Sequence, residues 1–168
     1  GSGLRYDLLL SDSAHGEAYL QELVVHHISG QLKVAPEHVQ PDVLARMRKP
    51  DADKLLAFKR RFDALSAKTK NKPFLSYYLI AAYPGCTLAD MQALKNFASN
   101  ELGLLPEQVQ VFTPTPSTYA SVMYHTEKDP FTGEPLFVEK NPAAKQRQKE
   151  VITGKNKPPQ KHRRKLTN

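Results

Sequence analysis

Phe74-Leu-Ser-Tyr-Tyr-Leu-Ile-Ala-Ala82 is the stretch on which the fold turns. It is apolar almost throughout, rich in aromatic and branched residues, and bounded by Pro73 and by Tyr83-Pro84-Gly85. Such a run predicts a strand buried on both faces of a parallel sheet. On its amino side, residues 53–68 place Leu55, Phe58, Phe62 and Leu65 on one helical face, with Lys59, Arg60 and Lys68 off it. On its carboxyl side, Thr87 and Asp90 form a capping pair that opens a third helix along Leu88, Met91, Leu94 and either Phe97 or Ala98, with Gly103 just past its end. Residues 108–112 follow as a strand closed by Thr113-Pro-Thr-Pro116.

Working towards the amino end, residues 31–35 read as a strand stopped by Pro36. Before it, residues 17–28 read as a helix with Leu20, Leu23, Val24 and His27 at helical spacing, ended by Gly30. Of His26 and His27 one is expected to be packed; adjacent residues on a helix diverge by about 100°, which argues against a shared metal. Residues 4–10 are a short apolar run read as strand-like. Beyond Tyr119 the period is lost, apart from a short helix over residues 142–152 docking through Val151 and Ile152.

Strands separated by amphipathic helices imply right-handed parallel β–α–β units. The fold class is therefore α/β, either a small open sheet or part of a (β/α) barrel. With three to four strands it falls well short of a closed eight-stranded barrel. Three regions are expected: a barrel part over residues 1–118, an extension of irregular structure over 119–154, and a disordered basic tail over 155–168.

The chain has 168 residues and a formal charge of +7. Residues 140–168 hold ten Lys or Arg against one acid, +9, while residues 1–139 hold fourteen against sixteen, −2. The body is near neutral. The tail carries the charge and has two readings: a solvated terminus, or an arm that contacts RNA by displacing counterions. A mean hydropathy of −0.52 with 13 prolines implies much chain outside the core. No run approaches the ~18 apolar residues of a membrane span, and no leader opens the sequence. Cys86 is the one cysteine, which excludes an internal disulfide and points to a reducing, cytoplasmic setting. It also excludes a self-contained iron–sulfur cluster, which needs three or four thiolates.

In both architectures ligands meet the carboxyl ends of the strands. Those ends carry Lys33, Glu37 and His38, then Tyr83-Pro84-Gly85-Cys86-Thr87, then Thr113 and Pro114; Arg5, Tyr6 and Asp7 would supply a fourth edge. Lys33 and Glu37 suit a zwitterionic amino acid moiety or, equally, a local salt bridge, with His38 at the surface. The Tyr83–Thr87 turn offers amides to a ribose or a carboxylate. Cys86 at a helix start has a route to a lowered pKa, but as a small packed residue it has the simpler account.

Leu32-Lys-Val-Ala-Pro-Glu-His38 with Met47-Arg-Lys-Pro50, then Ala82-Tyr-Pro-Gly-Cys-Thr-Leu-Ala-Asp-Met91, then Gln108-Val-Gln-Val-Phe-Thr-Pro-Thr-Pro-Ser117 closely resemble the YgiQ-type family of radical SAM proteins. Thr118-Tyr-Ala-Ser-Val-Met-Tyr-His-Thr126 and Asn141-Pro-Ala-Ala-Lys-Gln146 look like that family's C-terminal extension, so the resemblance covers roughly residues 2–155. It implies the second half of a partial barrel, with residues 2–7 at the end of its third strand and residues 31–35, 74–82 and 108–112 as its fourth to sixth. It also implies a parent that cleaves S-adenosylmethionine reductively with a 4Fe-4S cluster, on an unknown substrate. The cluster's Cys-x-x-x-Cys-x-x-Cys motif is missing from this chain. By resemblance Lys33 and Glu37 would hold the cofactor's polar groups, and Tyr83, Gly85, Thr113 and Pro114 its adenosine side. The chain would then be inactive alone, its partner being the N-terminal half of the parent, with dimerisation of the exposed fragment expected. The rival expectation is an independent binding module whose tail contacts RNA.

Overall fold

A computed structural model describes residues 4–103 and 109–154. It is a mixed α/β structure around a three-stranded parallel open sheet, as a partial (β/α) barrel fragment requires. The strands are β1 (Gln31–Glu37), β2 (Phe74–Ala81) and β3 (Val109–Val111), in the order β1-β2-β3. Helices α1 (Tyr6–Ser11) and α2 (Gly16–Glu22) precede β1. Between β1 and β2 lie α3 (Pro41–Met47) and α4 (Ala52–Ser66), and between β2 and β3 lies α5 (Leu88–Phe97). After β3 come α6 (Tyr119–Thr126) and α7 (Pro142–Thr153).

β2 alternates. Leu75, Tyr77, Leu79 and Ala81 are buried, while Ser76, Tyr78 and Ile80 on the other face are only half-buried. The expectation of two buried faces is corrected: helices cover one face. Phe58 and Phe62 of α4 pack on the amino half of that face, and Met91 and Leu94 of α5 on the carboxyl half. Consecutive strands whose crossovers lie on one face wind as a barrel does; a doubly wound sheet would reverse its order.

Other departures have local causes. Residues 4–10 are not a strand. Tyr6 and Leu9, three apart, are both buried, and the Tyr6 ring lies 5.8 Å from that of Phe58, so the run coils as α1. Arg5 and Asp7 pair with each other there and supply no strand edge. β1 does not stop at Pro36 but runs to Glu37 through a register shift between Val34 and Glu37, an irregularity that suits a residue with no N–H to donate. After α2 the chain widens into a π-helical turn, Leu23–His27. The buried stripe becomes Leu20, Val24 and Ile28; His26 and His27 are both exposed and face Glu22 at 3.9 and 3.4 Å. The helix expected over residues 142–152 is α7, with Ile152 fully buried and Val151 half-buried. α6 stands where no period was legible.

The expected capping box is present: the Asp90 N–H donates to Thr87 Oγ1 at 3.3 Å, and Thr87 N–H to Asp90 Oδ2 at 2.8 Å. Among the described residues no helix is long and apolar enough to cross a membrane. The expected disordered tail, residues 155–168, lies outside the described residues, as does Gln108.

Candidate functional site at the carboxyl ends of the strands

The strand ends converge as the topology requires, and two of them carry unusual backbone. Glu37 closes β1 at φ 66° and Ala82 follows β2 at φ 58°, both in the left-handed region that non-glycine residues rarely occupy. Such positions cost about 1–3 kcal/mol each and persist only where surrounding contacts hold them.

Glu37 is held by Lys49, whose Nζ lies 2.9 Å from Oε1 and also donates to Ala35 O at 3.1 Å. The ion pair that Glu37 makes is with a cation from residues 47–50, the other half of the same sequence motif, where a local pair with Lys33 was expected. Lys33 is not at the carboxyl end of its strand, because β1 continues to Glu37; it lies in the amino half of β1 on the half-exposed face, paired in register with Ser76. The buried Ser76 Oγ has no hydrogen-bond partner among the described residues. Glu37 also acts on two phenols. Burial, then the charges of Asp7 and Glu37, pushes the Tyr6 hydroxyl up to about 12, and burial followed by Glu37 does the same to Tyr83. Both are neutral throughout the physiological range.

Tyr83 is 8% exposed, donates to Arg46 O at 3.3 Å, and meets Phe112 edge-on with centroids 5.2 Å apart. Gly85, at φ 88°, sits under Arg46: the positive φ needs glycine's backbone freedom, and a Cβ there would also have to displace the flexible Arg46 side chain, approaching its Nη1 to 2.8 Å. Three of the turn's amides are spoken for. Gly85 N–H donates to Phe137 O at 2.7 Å, Cys86 N–H to Tyr83 O at 2.8 Å, and Thr87 N–H to Asp90. The expectation that they stand open to a ligand is corrected; what this turn presents is shape, with the Tyr83 ring at its start. Thr113 is exposed, Pro114 half-buried, and Thr113 Oγ1 lies 3.5 Å from Val111 O.

Beneath these residues is a group that sequence spacing missed. His38 is 1% exposed, not a surface residue, and its Nε2 lies 3.6 Å from Cys86 Sγ. Gln40 N–H donates to His38 Nδ1 at 3.0 Å, so the ring proton sits on Nε2 and points at the sulfur. Burial pulls the imidazole down to about 4, against a small upward pull from Asp90. Burial, then Asp90, pushes the Cys86 thiol up to about 12, overriding the helix start. A protonated Nε2 cannot take the thiol's proton, so this is a packed polar pair and not a nucleophile with its base. Cys86 is the small packed residue expected. Gln148 of α7 completes the group: its Oε1 lies 3.6 Å from Cys86 Sγ and its Nε2 donates to Cys86 O at 3.2 Å. These contacts join residues 48 and 62 positions apart, beyond any local sequence signal.

Elsewhere, the exposed Tyr119 and Phe131 pack at 4.8 Å with the Arg48 guanidinium 4.3 Å from the Phe131 ring. A groove lined by Val24, Ile28, Leu65 and Thr69 lies at the opposite, amino end of the sheet. Among the described residues no group of three or more His, Cys, Asp or Glu could hold a metal ion.

Comparison with known proteins adds the lineage. The family described as a domain of unknown function, DUF3362, matches residues 107–161. The UPF0313 protein FN0734 of Fusobacterium nucleatum is 53% identical over 156 residues, which are 93% of this chain and 28% of that protein. UPF0313 proteins of Clostridium perfringens and Thermotoga petrophila are 41% and 40% identical, covering 92% and 93% of this chain but 23% and 27% of theirs. The chain spans about a quarter of the length of the curated relatives it matches. The chain is thus similar to a segment of these UPF0313 proteins, with the DUF3362 match lying after β2.

Proposed function

We propose that this segment is part of the wall of an S-adenosylmethionine site in a YgiQ-type radical SAM enzyme. The observation that carries the reading is the single-faced winding of β1, β2 and β3, which leaves the other face half open and gathers Glu37, Tyr83, Thr113 and Pro114 at its carboxyl edge. Glu37 suits the cofactor's ammonium. A carboxylate accepts up to about four hydrogen bonds, so the Lys49 pair holds it without exhausting it. Lys33, on the open face, suits the cofactor's carboxylate, and Ser76 Oγ is an orphaned polar atom on the same face. Tyr83 and Gly85 would shape the adenosine side beside Thr113 and Pro114. When bound in such an enzyme, S-adenosylmethionine supplies radical chemistry through its reductive cleavage.

The described residues do not fit the 4Fe-4S cluster. Cys86 is buried with its thiol protonated, and no metal-holding group exists among them. On this reading the thiolates come from the remaining three-quarters of the whole protein, at work in a reducing cytoplasm. The whole-length protein, reconstituted anaerobically with iron and sulfide and then reduced with dithionite as electron donor, is expected to give methionine and 5′-deoxyadenosine from S-adenosylmethionine, the hydrogen atom coming from substrate or buffer. Glu37→Gln is expected to weaken cofactor binding roughly tenfold, since a charge-assisted hydrogen bond is lost. This chain alone is expected to give neither cluster nor product; 5′-deoxyadenosine from it would overturn the assignment.

The outer edges of β1 and β3 have no strand partner among the described residues. In the isolated chain they invite a second copy by edge pairing. Light scattering across a dilution series is expected to show reversible association; a dilution-stable monomer would count against it.

A further inference from the structure

Gln148 is 2% exposed, and a buried primary amide is tolerated only when its donor and acceptor are both used. Here both are used on one turn. Oε1 accepts from Ala82 N–H at 2.9 Å, and Nε2 donates to Cys86 O at 3.2 Å. Ala82 and Cys86 are the first and last residues of Ala82-Tyr-Pro-Gly-Cys86, the turn that leaves β2.

That turn has one internal hydrogen bond, Cys86 N–H to Tyr83 O at 2.8 Å, and its other holds are external. Ala82 and Gly85 both have positive φ, 58° and 88°, and Pro84 has no N–H. Its external holds come from Arg46, whose carbonyl takes the Tyr83 hydroxyl, and from residues after β3: Phe137, whose carbonyl takes the Gly85 amide, and Gln148. Phe137 and Gln148 lie within residues 107–161, the region matched by DUF3362. Among the described residues Gln148 alone bridges the two ends of the turn. Its amide takes the place of a neighbouring strand, accepting from one backbone group and donating to another.

We infer that Gln148 is a positioning residue: through its side-chain amide, α7 sets the shape of the turn that carries Tyr83 and Gly85. Its consequence for a ligand rests on the S-adenosylmethionine reading; the clamping of the turn does not. The rival account is that α7 only packs, through the fully buried Ile152.

The test compares Gln148→Met, of similar length but without the hydrogen bonds, with Ile152→Val, which removes packing and leaves the amide. Amide exchange at Ala82 and alkylation of the buried Cys86 thiol, read by peptide mass, report the turn directly. In Gln148→Met both are expected to speed up roughly tenfold or more, the scale of one or two lost buried hydrogen bonds. In Ile152→Val both are expected to stay near the parent rates. Should Gln148→Met fail to fold, Gln148→Glu, read at alkaline pH where its buried carboxyl is ionised, keeps an acceptor for Ala82 and loses the donor to Cys86 O; Ala82 is then expected to stay protected while Cys86 reacts faster. Unchanged rates in Gln148→Met, or equal acceleration in Ile152→Val, would overturn the inference. In the whole-length protein Gln148→Met is expected to weaken S-adenosylmethionine binding and Ile152→Val to leave it. Absence of binding by the parent protein would sink the cofactor reading, and exchange and alkylation would still decide the clamp.

Discussion

Phe58→Ala is expected to remove a fifth or more of the chain's folding stability. The ring is fully buried, 5.8 Å from Tyr6 and 6.1 Å from Phe62, at the point where α4 meets α1 and the amino half of β2. Truncating a buried phenylalanine costs about 3–5 kcal/mol, because the lost transfer free energy is joined by a cavity that neighbours fill only in part. Native domains hold about 5–15 kcal/mol in all. Phe74→Ala is the control: that ring is 59% exposed at the start of β2, and its loss is expected to stay within about 0.5 kcal/mol. Urea titration followed by circular dichroism separates the two. Equal midpoint shifts would mean that the core is not where the packing puts it.

His38 makes the fold sensitive to mild acid. Its imidazole falls from an ordinary value near 6.5 to about 4 in the folded chain, chiefly because burial disfavours the charged ring. Between those values the unfolded chain binds a proton that the folded chain refuses. Stability is therefore fully present above pH 6.5, declines as pH falls towards 4, and this contribution levels off below. The interval corresponds to about 3 kcal/mol. Asp7, held below the usual carboxylate range by its hydrogen bond from Arg5, and Asp12, lowered first by the His15 N–H, lose their contributions at still lower pH. The His38 window is thus separate from theirs. Urea midpoints measured from pH 7 to pH 4 are expected to fall in the parent and to flatten in His38→Asn, which keeps an acceptor near Gln40 N–H. Parallel slopes in the two proteins would refute the assignment.

What was legible in the sequence follows from how local each signal is. α4 and α5 announce themselves because their apolar stripes run for three turns or so, and because the Thr87–Asp90 box lies within four residues. β2 was recognised as a strand, yet its half-open face was not. Tyr78 and Ile80 are as apolar as Tyr77 and Leu79, and only the placement of helices distinguishes them. α6 was missed because it buries one residue, Met123, while Tyr119 and Val122 stay exposed, too little for a period. α1 misled because seven residues with Arg5 and Asp7 between leucines fit a period of two or three about equally well. At the site, Glu37 and Lys33 were visible as types suited to a zwitterion, but the Lys49 pair reaches across α3, and the His38–Cys86–Gln148 group is assembled wholly by tertiary contacts.

The buried side chains of β2 belong to two separate apolar clusters. Leu75 and Tyr77 join Phe58, Phe62 and the first helices, whereas Leu79 and Ala81 join Met91, Val109, Met123 and Ile152. One strand therefore spans two neighbourhoods with few members in common. Substitutions after β3 are expected to be felt first at the carboxyl half of β2, where Met123 and Ile152 pack, and only through it at the amino half. The carboxyl ends of the strands are thus the half of the molecule that residues 119–154 support mechanically.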